Sequence, residues 1–282
     1  MDTVILLVAC PDQHGIVAKL TQCIAELDGN IVDSHQYSTD SDSGQFFMRL
    51  EFCFEDSPDE DAIRAKFAPL ADSLSADWQL YFTAQRPRMA IAVSKFDHCL
   101  VDILYHHRVG DLAVEIPLVI SNHDDLRPLV EAAGIPFHHI SVSKETKVEA
   151  EAEIVDLIKD TSDFLVLARY MQILTGDFLK NYGKPVINIH HSFLPSFKGA
   201  NPYQQAHDRG VKLIGATAHY VTTDLDEGPI IEQAVGHVTH RDTPHDLRRI
   251  GRSLEQQSLG RAIQQHVNHR IIRHHHKTII FE

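Results

Sequence analysis

The chain has 282 residues, 43% of them hydrophobic and 23% charged, with a formal net charge of −13; the length predicts two domains of an ordinary globular protein. The acidic balance speaks against a general nucleic-acid surface, which needs a basic footprint, while leaving room for an anionic small substrate held by a few local cations. No stretch approaches the roughly 20 consecutive apolar residues of a membrane span, and MDTVILLVACPDQHG has neither a basic leader nor a small-residue cleavage pattern, so it reads as the first strand of a cytoplasmic protein.

Residues 1–84 predict a buried strand in TVILLVACPD, then a helix in HGIVAKLTQCIAELD with apolar residues at Ile16, Val17, Leu20, Ile24 and Leu27. Gly29 and Asn30 stop that helix. IVDSHQYSTD and GQFFMRLEFCFE form a hairpin around DSDSG, DEDAIRAKFAPLADSL is a second helix, and DWQLYF a closing strand. The order is βαββαβ, a ferredoxin-like sandwich. The four cysteines, Cys10, Cys23, Cys53 and Cys99, lack CxxC spacing and predict buried, reduced thiols rather than a disulfide framework or a zinc site. CPDQHGIVAKLTQCIAELDGNIVDSHQ resembles the opening of an ACT domain, a small regulatory module that pairs with copies of itself and often binds amino acids. That resemblance implies a homo-oligomer and an amino-acid effector site at Asp12, Gly15 and Asn30. Read alone, Gly15 permits a backbone angle other residues avoid, and Asn30 caps a helix.

TAQRPRM is a short polar link, and from residue 85 to 282 the pattern changes. MAIAVSK, VEIPLVISNH, FLVLARYM and PVINIH are apolar runs of parallel-strand type. HCLVDILYHHR, DLRPLVEAAG, KVEAEAEIVDLIKD and LTGDFLKNYG are helical segments between them. This alternation predicts an α/β domain with an open, mostly parallel, Rossmann-like sheet. Ligands of such sheets bind beyond the carboxyl ends of the strands, and VINIHHS is one of those ends. The terminal HRIIRHHHKTIIFE invites a metal reading, but its strand-like pattern favours solvated edge-strand histidines.

Asn188 and His190 are two apart and share one face of an extended strand. Downstream, GATAHYVTTDLDEGPIIEQ predicts an antiparallel hairpin whose loop holds Asp224, Asp226 and Glu227 before Gly228-Pro229. An amide donor, an imidazole and a carboxylate in one crevice suit addition to a carbonyl: the first two stabilise an oxyanion and the third handles a proton. Taken singly, each residue has an ordinary structural reading; together they must also explain why polar residues end a buried strand.

NIHHSFLPSFKGANP followed by GATAHYVTTDLDEGPIIEQ resembles the formyltransferase-fold family, from about Met89 to the C-terminus. The family's catalytic asparagine, histidine and aspartate fall on Asn188, His190 and Asp226. Three features resemble the 10-formyltetrahydrofolate deformylases within that family: the N-terminal ACT-like region, His191 where the glycinamide ribonucleotide transformylases have proline, and AVSKFDHCLVDIL where they have a glycine-rich phosphate loop. The resemblance implies hydrolysis of a formylated folate to formate and tetrahydrofolate, in support of purine synthesis, without metal or organic cofactor; a formyl transferase with an unidentified amine acceptor is the alternative. It places the folate along ARYMQIL at Met171, Gln172, Ile173 and Leu174, with Gln172 standing in place of the family's arginine. It also implies that the loop of Asp224 and Leu225 touches the pterin edge and that Gly199 belongs to the substrate site; Lys198 either steers the glutamate tail or, as is commoner for an exposed lysine, has no specific role. For Met171, Ile173 and Leu174 plain core packing is an equal reading, and His191 either positions the attacking water or fills space.

Overall fold

The computed structural model describes residues 3–40, 44–55, 59–194 and 202–282. β1 (Val4–Pro11), α1 (Ile16–Ala25), β2 (Asn30–Ser38), β3 (Gln45–Cys53), α2 (Glu60–Leu74) and β4 (Asp77–Phe82) follow the predicted βαββαβ order. The strands form an antiparallel sheet in the order β2-β3-β1-β4. Alternate residues of β1 explain its unbroken apolar run. Val4, Leu6, Val8 and Cys10 pack with Ile16, Leu20 and Ile24 of α1 and with Ile63 and Phe67 of α2. Ile5 and Leu7 join Phe47 in a second cluster that includes Ile272, Ile279 and Phe281 from the end of the chain.

Those last residues form two short strands, β12 (Ile271–His274) and β13 (Lys277–Ile280), paired with each other. Residues 268–274 and 278–282 belong to one compact unit with Met1–Arg86, so the tail that the sequence assigns to the second domain covers the open face of the first unit's sheet. The buried Arg49 of β3 secures it, donating to the carbonyls of His269 (3.2 Å) and Asn268 (3.4 Å) while pairing with Asp33 and Glu51. The tail histidines are therefore not all solvated edge residues: His269 stacks on Tyr81 at 3.6 Å and His274 meets Phe47 edge-on at 5.0 Å. An imidazole has an apolar ring as well as polar atoms, and these two rings serve as packing surface. All four cysteines are buried and free.

The second unit spans Pro87–Val267 with residues 275–277. Its elements are β5 (Met89–Val93), α3 (His98–Val109), β6 (Val119–Ser121), α4 (Arg127–Ala132), β7 (Phe137–His139), α5 (Lys147–Ile158), β8 (Phe164–Ala168), α6 (Gly176–Tyr182), β9 (Val186–His190), α7 (Pro202–Asp208), β10 (Leu213–Tyr220), β11 (Ile230–His237) and α8 (Pro244–Val267). The sheet order is β11-β10-β9-β8-β5-β6-β7, parallel from β9 to β7 and antiparallel at β10 and β11. The chain leaves β5 toward β6 and β7, then returns to the other side of β5 as β8. That reversal opens a crevice at the carboxyl ends of β5 and β8, as doubly wound sheets do. The short β7 and the 24-residue α8 are not anticipated from the sequence pattern. Among the described residues no helix is long and apolar enough to cross a membrane.

Candidate active site

On β9, Ile187 and Ile189 are buried while Asn188 and His190 share the opposite, partly open face. The antiparallel register sets Asn188 directly across from His219 of β10, and Asn188 Nδ2 lies 3.3 Å from His219 Nε2. His219 Nδ1 is 2.9 Å from the carbonyl oxygen of Tyr220. A carbonyl only accepts, so Nδ1 carries the proton and Nε2 receives the Asn188 amide. Burial pushes the His219 pKa down and keeps the ring neutral, against the opposing pull of the Tyr220 carbonyl and Asp226. One N–H of Asn188 is thereby committed to orientation and the other remains for a ligand.

Asp226 reaches the same place through a tight turn. Its backbone is left-handed (φ 57°), which aspartate tolerates better than most residues. Gly228 lets the loop fold back: a Cβ there would sit 1.7 Å from the Tyr220 carbonyl oxygen. The Tyr220 amide then donates to Pro229 O at 2.9 Å. Asp226 Oδ2 stands 3.3 Å from His190 Nδ1, and Oδ1 stands 3.8 Å from His219 Nε2. The hydrogen bond from His190, aided by the surrounding histidines and resisted by burial, holds the Asp226 carboxyl below its usual range. Its other ring nitrogen, His190 Nε2, is buried without a hydrogen-bond partner among the described residues. A buried polar atom left unpaired is costly, and here it belongs to the residue expected to meet a substrate oxygen.

His191 stacks on His190, ring centroids 5.1 Å apart and planes at 24°. Burial, then the positive charge of Arg169 and His190, lowers its pKa to about 4 from an ordinary 6.5. Between those values the unfolded chain binds more protons than the folded one. The stability gained from a neutral His191 is complete above pH 6.5 and is lost as pH falls toward 4, by up to about 3 kcal/mol. Urea unfolding at successive pH values is expected to show a shallower acid decline for His191→Asn than for the wild type. Equal slopes would remove His191 from this account.

The strand-end loop ARYMQIL is fixed through its backbone. Ser94 Oγ accepts the Met171 amide at 2.9 Å and donates to Asn122 Oδ1 at 2.6 Å. Lys147 Nζ donates to Ile173 O at 2.5 Å. Glu151 accepts the amide and the hydroxyl of Thr175. With the backbone pinned, Met171 and Ile173 remain 53% and 59% exposed, so core packing does not account for them, whereas Leu174 packs against the central hydrophobic cluster. Gln172 is half-buried. Asp224 and the 58%-exposed Leu225 lie on the β10–β11 loop. The two loops are neighbours: a Cβ on Gly176 would meet the Thr223 methyl at 3.4 Å.

Residues 87–263 match the formyl transferase family and residues 4–67 the ACT domain. A formyltetrahydrofolate deformylase of Synechocystis is 50% identical over 281 residues, covering 99% of this chain and 98% of that one. This chain belongs to the formyltetrahydrofolate deformylase family. The crystal structure of a formyltetrahydrofolate deformylase from Pseudomonas syringae pv. tomato superposes with a TM-score of 0.96 at 46% identity, covering 100% of this chain and 95% of that one. A glycinamide ribonucleotide transformylase from Symbiobacterium toebii gives a TM-score of 0.67 at 30% identity, covering 72% of this chain and 98% of that one.

The structure brings Asn188, His190, His191 and Asp226 to one place, together with three buried polar residues that sequence reasoning does not single out. His219 is hidden in the apolar alternation of GATAHYV; a histidine inside a buried strand was its signal. Arg169 follows β8 and Glu255 lies on α8; both are buried, with Arg169 Nε 3.3 Å from Glu255 Oε2. Glu255 also lies with His98 and Cys99 in a group whose ligand atoms fall within 4.8 Å of one another. Arg169 already supplies that carboxylate with a cation, and burial pushes the Cys99 thiol up, away from the thiolate a metal needs.

Gly199 and Lys198 lie outside the described residues. Asp12 and Gly15 follow β1, and Gly15 adopts φ 83°, the left-handed angle glycine permits. Asn30 opens β2 and pairs with Cys53, at the end of the sheet where β1 begins. Eight strand residues separate the two ends, about 25 Å, so within one chain Asp12, Gly15 and Asn30 do not form a single pocket.

Proposed function

We infer that this protein hydrolyses 10-formyltetrahydrofolate to formate and tetrahydrofolate. The observation that carries the reading is the convergence of Asn188, His190 and Asp226 at the strand-end crevice, with His190 Nε2 buried and unpartnered, in a chain of the deformylase family. The formyl oxygen takes the free N–H of Asn188. Because His190 directs Nδ1–H at Asp226, its Nε2 donates only when the ring is an imidazolium, and the adjacent carboxylate stabilises that charge. Water adds to the formyl carbon, and the tetrahedral oxyanion is held by both donors. Asp226 orients the water and helps carry its proton to the folate nitrogen as the carbon–nitrogen bond breaks. Formate leaves with the water oxygen. His191, with its lone pair free, holds the attacking water. The exposed Met171, Ile173 and Leu225 offer apolar surface to the flat rings of the folate, with Asp224, Gln172 and the pinned backbone supplying polar contacts. Gly199 completes the substrate site. The chemistry needs hydrogen-bond donors and a base, with no resident metal or organic cofactor.

The wider setting follows from the same reading. The reaction returns formate to purine synthesis and balances one-carbon pools in the cytoplasm. The ACT-like unit pairs copies of the chain into a homo-oligomer and offers an amino-acid effector site. Since Asp12 and Gly15 lie far from Asn30 in one chain, such a site draws on two copies.

Formate release from 10-formyltetrahydrofolate without any acceptor tests the reaction. Release is expected at full rate with no added amine. Release only after an amine is supplied would establish a formyl transferase instead. In the same assay His191→Pro is expected to slow hydrolysis, and an unchanged rate would sink its role in holding water.

A further inference from the structure

The ring of His191 has two ring neighbours. His190 stacks on it with centroids 5.1 Å apart, and Tyr203 of α7 stands 6.4 Å away with its plane tilted by 43°. Both separations fall in the range over which aromatic rings pack. The Tyr203 hydroxyl donates to Glu255 Oε1 at 2.9 Å. Glu255 is 2% exposed, and its other oxygen, Oε2, lies 2.7 Å from His98 Nε2 and 3.3 Å from Arg169 Nε. With Oε2 held by groups from α3 and from the end of β8, the carboxylate is fixed in orientation, and Oε1 becomes a fixed point for the tyrosine. One turn earlier on α8, Gly251 makes the room: a Cβ there would lie 2.0 Å from the Tyr203 hydroxyl and 2.6 Å from Cε1 of its ring.

Packing alone does not call for this set. A buried carboxylate must be stripped of water and compensated, and glycine is a poor residue for a helix interior. Phenylalanine over alanine, with an apolar side chain at 255, would fill the same space without either. What tyrosine, glycine and carboxylate add is a fixed direction for one ring. His191 needs such help, because it lies one residue beyond β9 and outside the ladder that orients Asn188 and His190. Its imidazole makes no hydrogen bond among the described residues, so ring contacts are what orient it. We propose that Tyr203, seated over Gly251 and anchored to Glu255, is a positioning residue for hydrolysis: it fixes the plane of the His191 ring against His190, and with it the place where the attacking water is held. The inference rests on the reading of His191 as the water holder. Misplacing a reacting group by about 1 Å costs on the order of 10²-fold in rate, so a small rotation of this ring is enough to matter.

The test is a pair of double-mutant cycles read in kcat for formate release, with KM and a thermal melt recorded for each variant. Glu255 also serves His98 and Arg169, so the cleaner changes are at Tyr203 and Gly251. Tyr203→Leu is expected to lower kcat by about 10- to 100-fold with little change in KM. Gly251→Ala favours the helix yet pushes the tyrosine aside, and is expected to lower kcat in the same direction. Added to Tyr203→Leu, which leaves no hydroxyl to collide with, Gly251→Ala is expected to cost nothing further. Added to His191→Ala, Tyr203→Leu is likewise expected to cost nothing further, because there is no ring left to position. A merely structural tyrosine would instead lower the melting temperature and multiply its loss in full with that of His191→Ala. Should leucine at 203 prevent folding, Tyr203→Phe, which removes only the anchoring hydroxyl and is expected to lose several-fold in kcat, takes its place in both cycles. Wild-type kcat in the Tyr203 variants, or full multiplication with a slow His191→Ala, would overturn the proposal while leaving the His191 reading intact. A His191→Ala variant as fast as the wild type would overturn both.

Discussion

Asp226→Asn is expected to lower kcat for formate release by about 10³–10⁴-fold with little change in KM. The substitution is isosteric, and the turn that presents the residue depends on Gly228 and the Tyr220–Pro229 hydrogen bond rather than on the carboxylate. An asparagine oxygen still accepts the Nδ1–H of His190. It lacks the negative charge that stabilises the imidazolium, so the donor to the oxyanion is lost together with the group that handles the proton of water. The exposed residues proposed to meet the folate, Met171, Ile173 and Leu225, are untouched, which is why binding is expected to survive. Steady-state kinetics alongside a thermal melt separate the two effects. A kcat within tenfold of wild type, in a folded variant, would remove Asp226 from the chemistry.

The second large effect falls on Asn188. Asn188→Ala is expected to reduce kcat by about 10²–10³-fold, the usual consequence of removing one oxyanion donor. Asn188→Asp preserves shape but replaces a donor with a carboxylate where negative charge develops and where Asp226 is already ionised. It also takes away the N–H that His219 Nε2 accepts. The aspartate variant should therefore be worse than the alanine variant. An aspartate variant as active as alanine, or more so, would show that Asn188 does not donate to the formyl oxygen.

These expectations draw on different depths of the sequence. Strand β9 and its polar end are legible in PVINIHHS because the alternation that buries Ile187 and Ile189 and presents Asn188 and His190 is a two-residue period, set by local backbone geometry. The return of Asp226 is legible for a similar reason: Gly228-Pro229 announces a turn, and the turn brings the acidic loop back. The apolar run of β1 shows that both faces of that strand are covered, but not by what. Ile272, Ile279 and Phe281 cover one of them from the far end of the chain, and the pattern HRIIRHHHKTIIFE reads equally well as an exposed edge.

The fold class, the strand that ends in Asn188 and His190, and the loop that carries Asp226 were determined by the sequence itself, because periodicity and turn chemistry act over a few residues. The orientation of Asn188 by His219, the ion pair of Arg169 with Glu255 and the placing of the C-terminal tail were decided only by the tertiary structure. The first depends on the register of two antiparallel strands, the second on packing a helix over a distant strand end, and the third on which hydrophobic surface was left uncovered. None of these choices leaves a mark within a short stretch of sequence, since each is settled by the free energy of burying surfaces far apart along the chain.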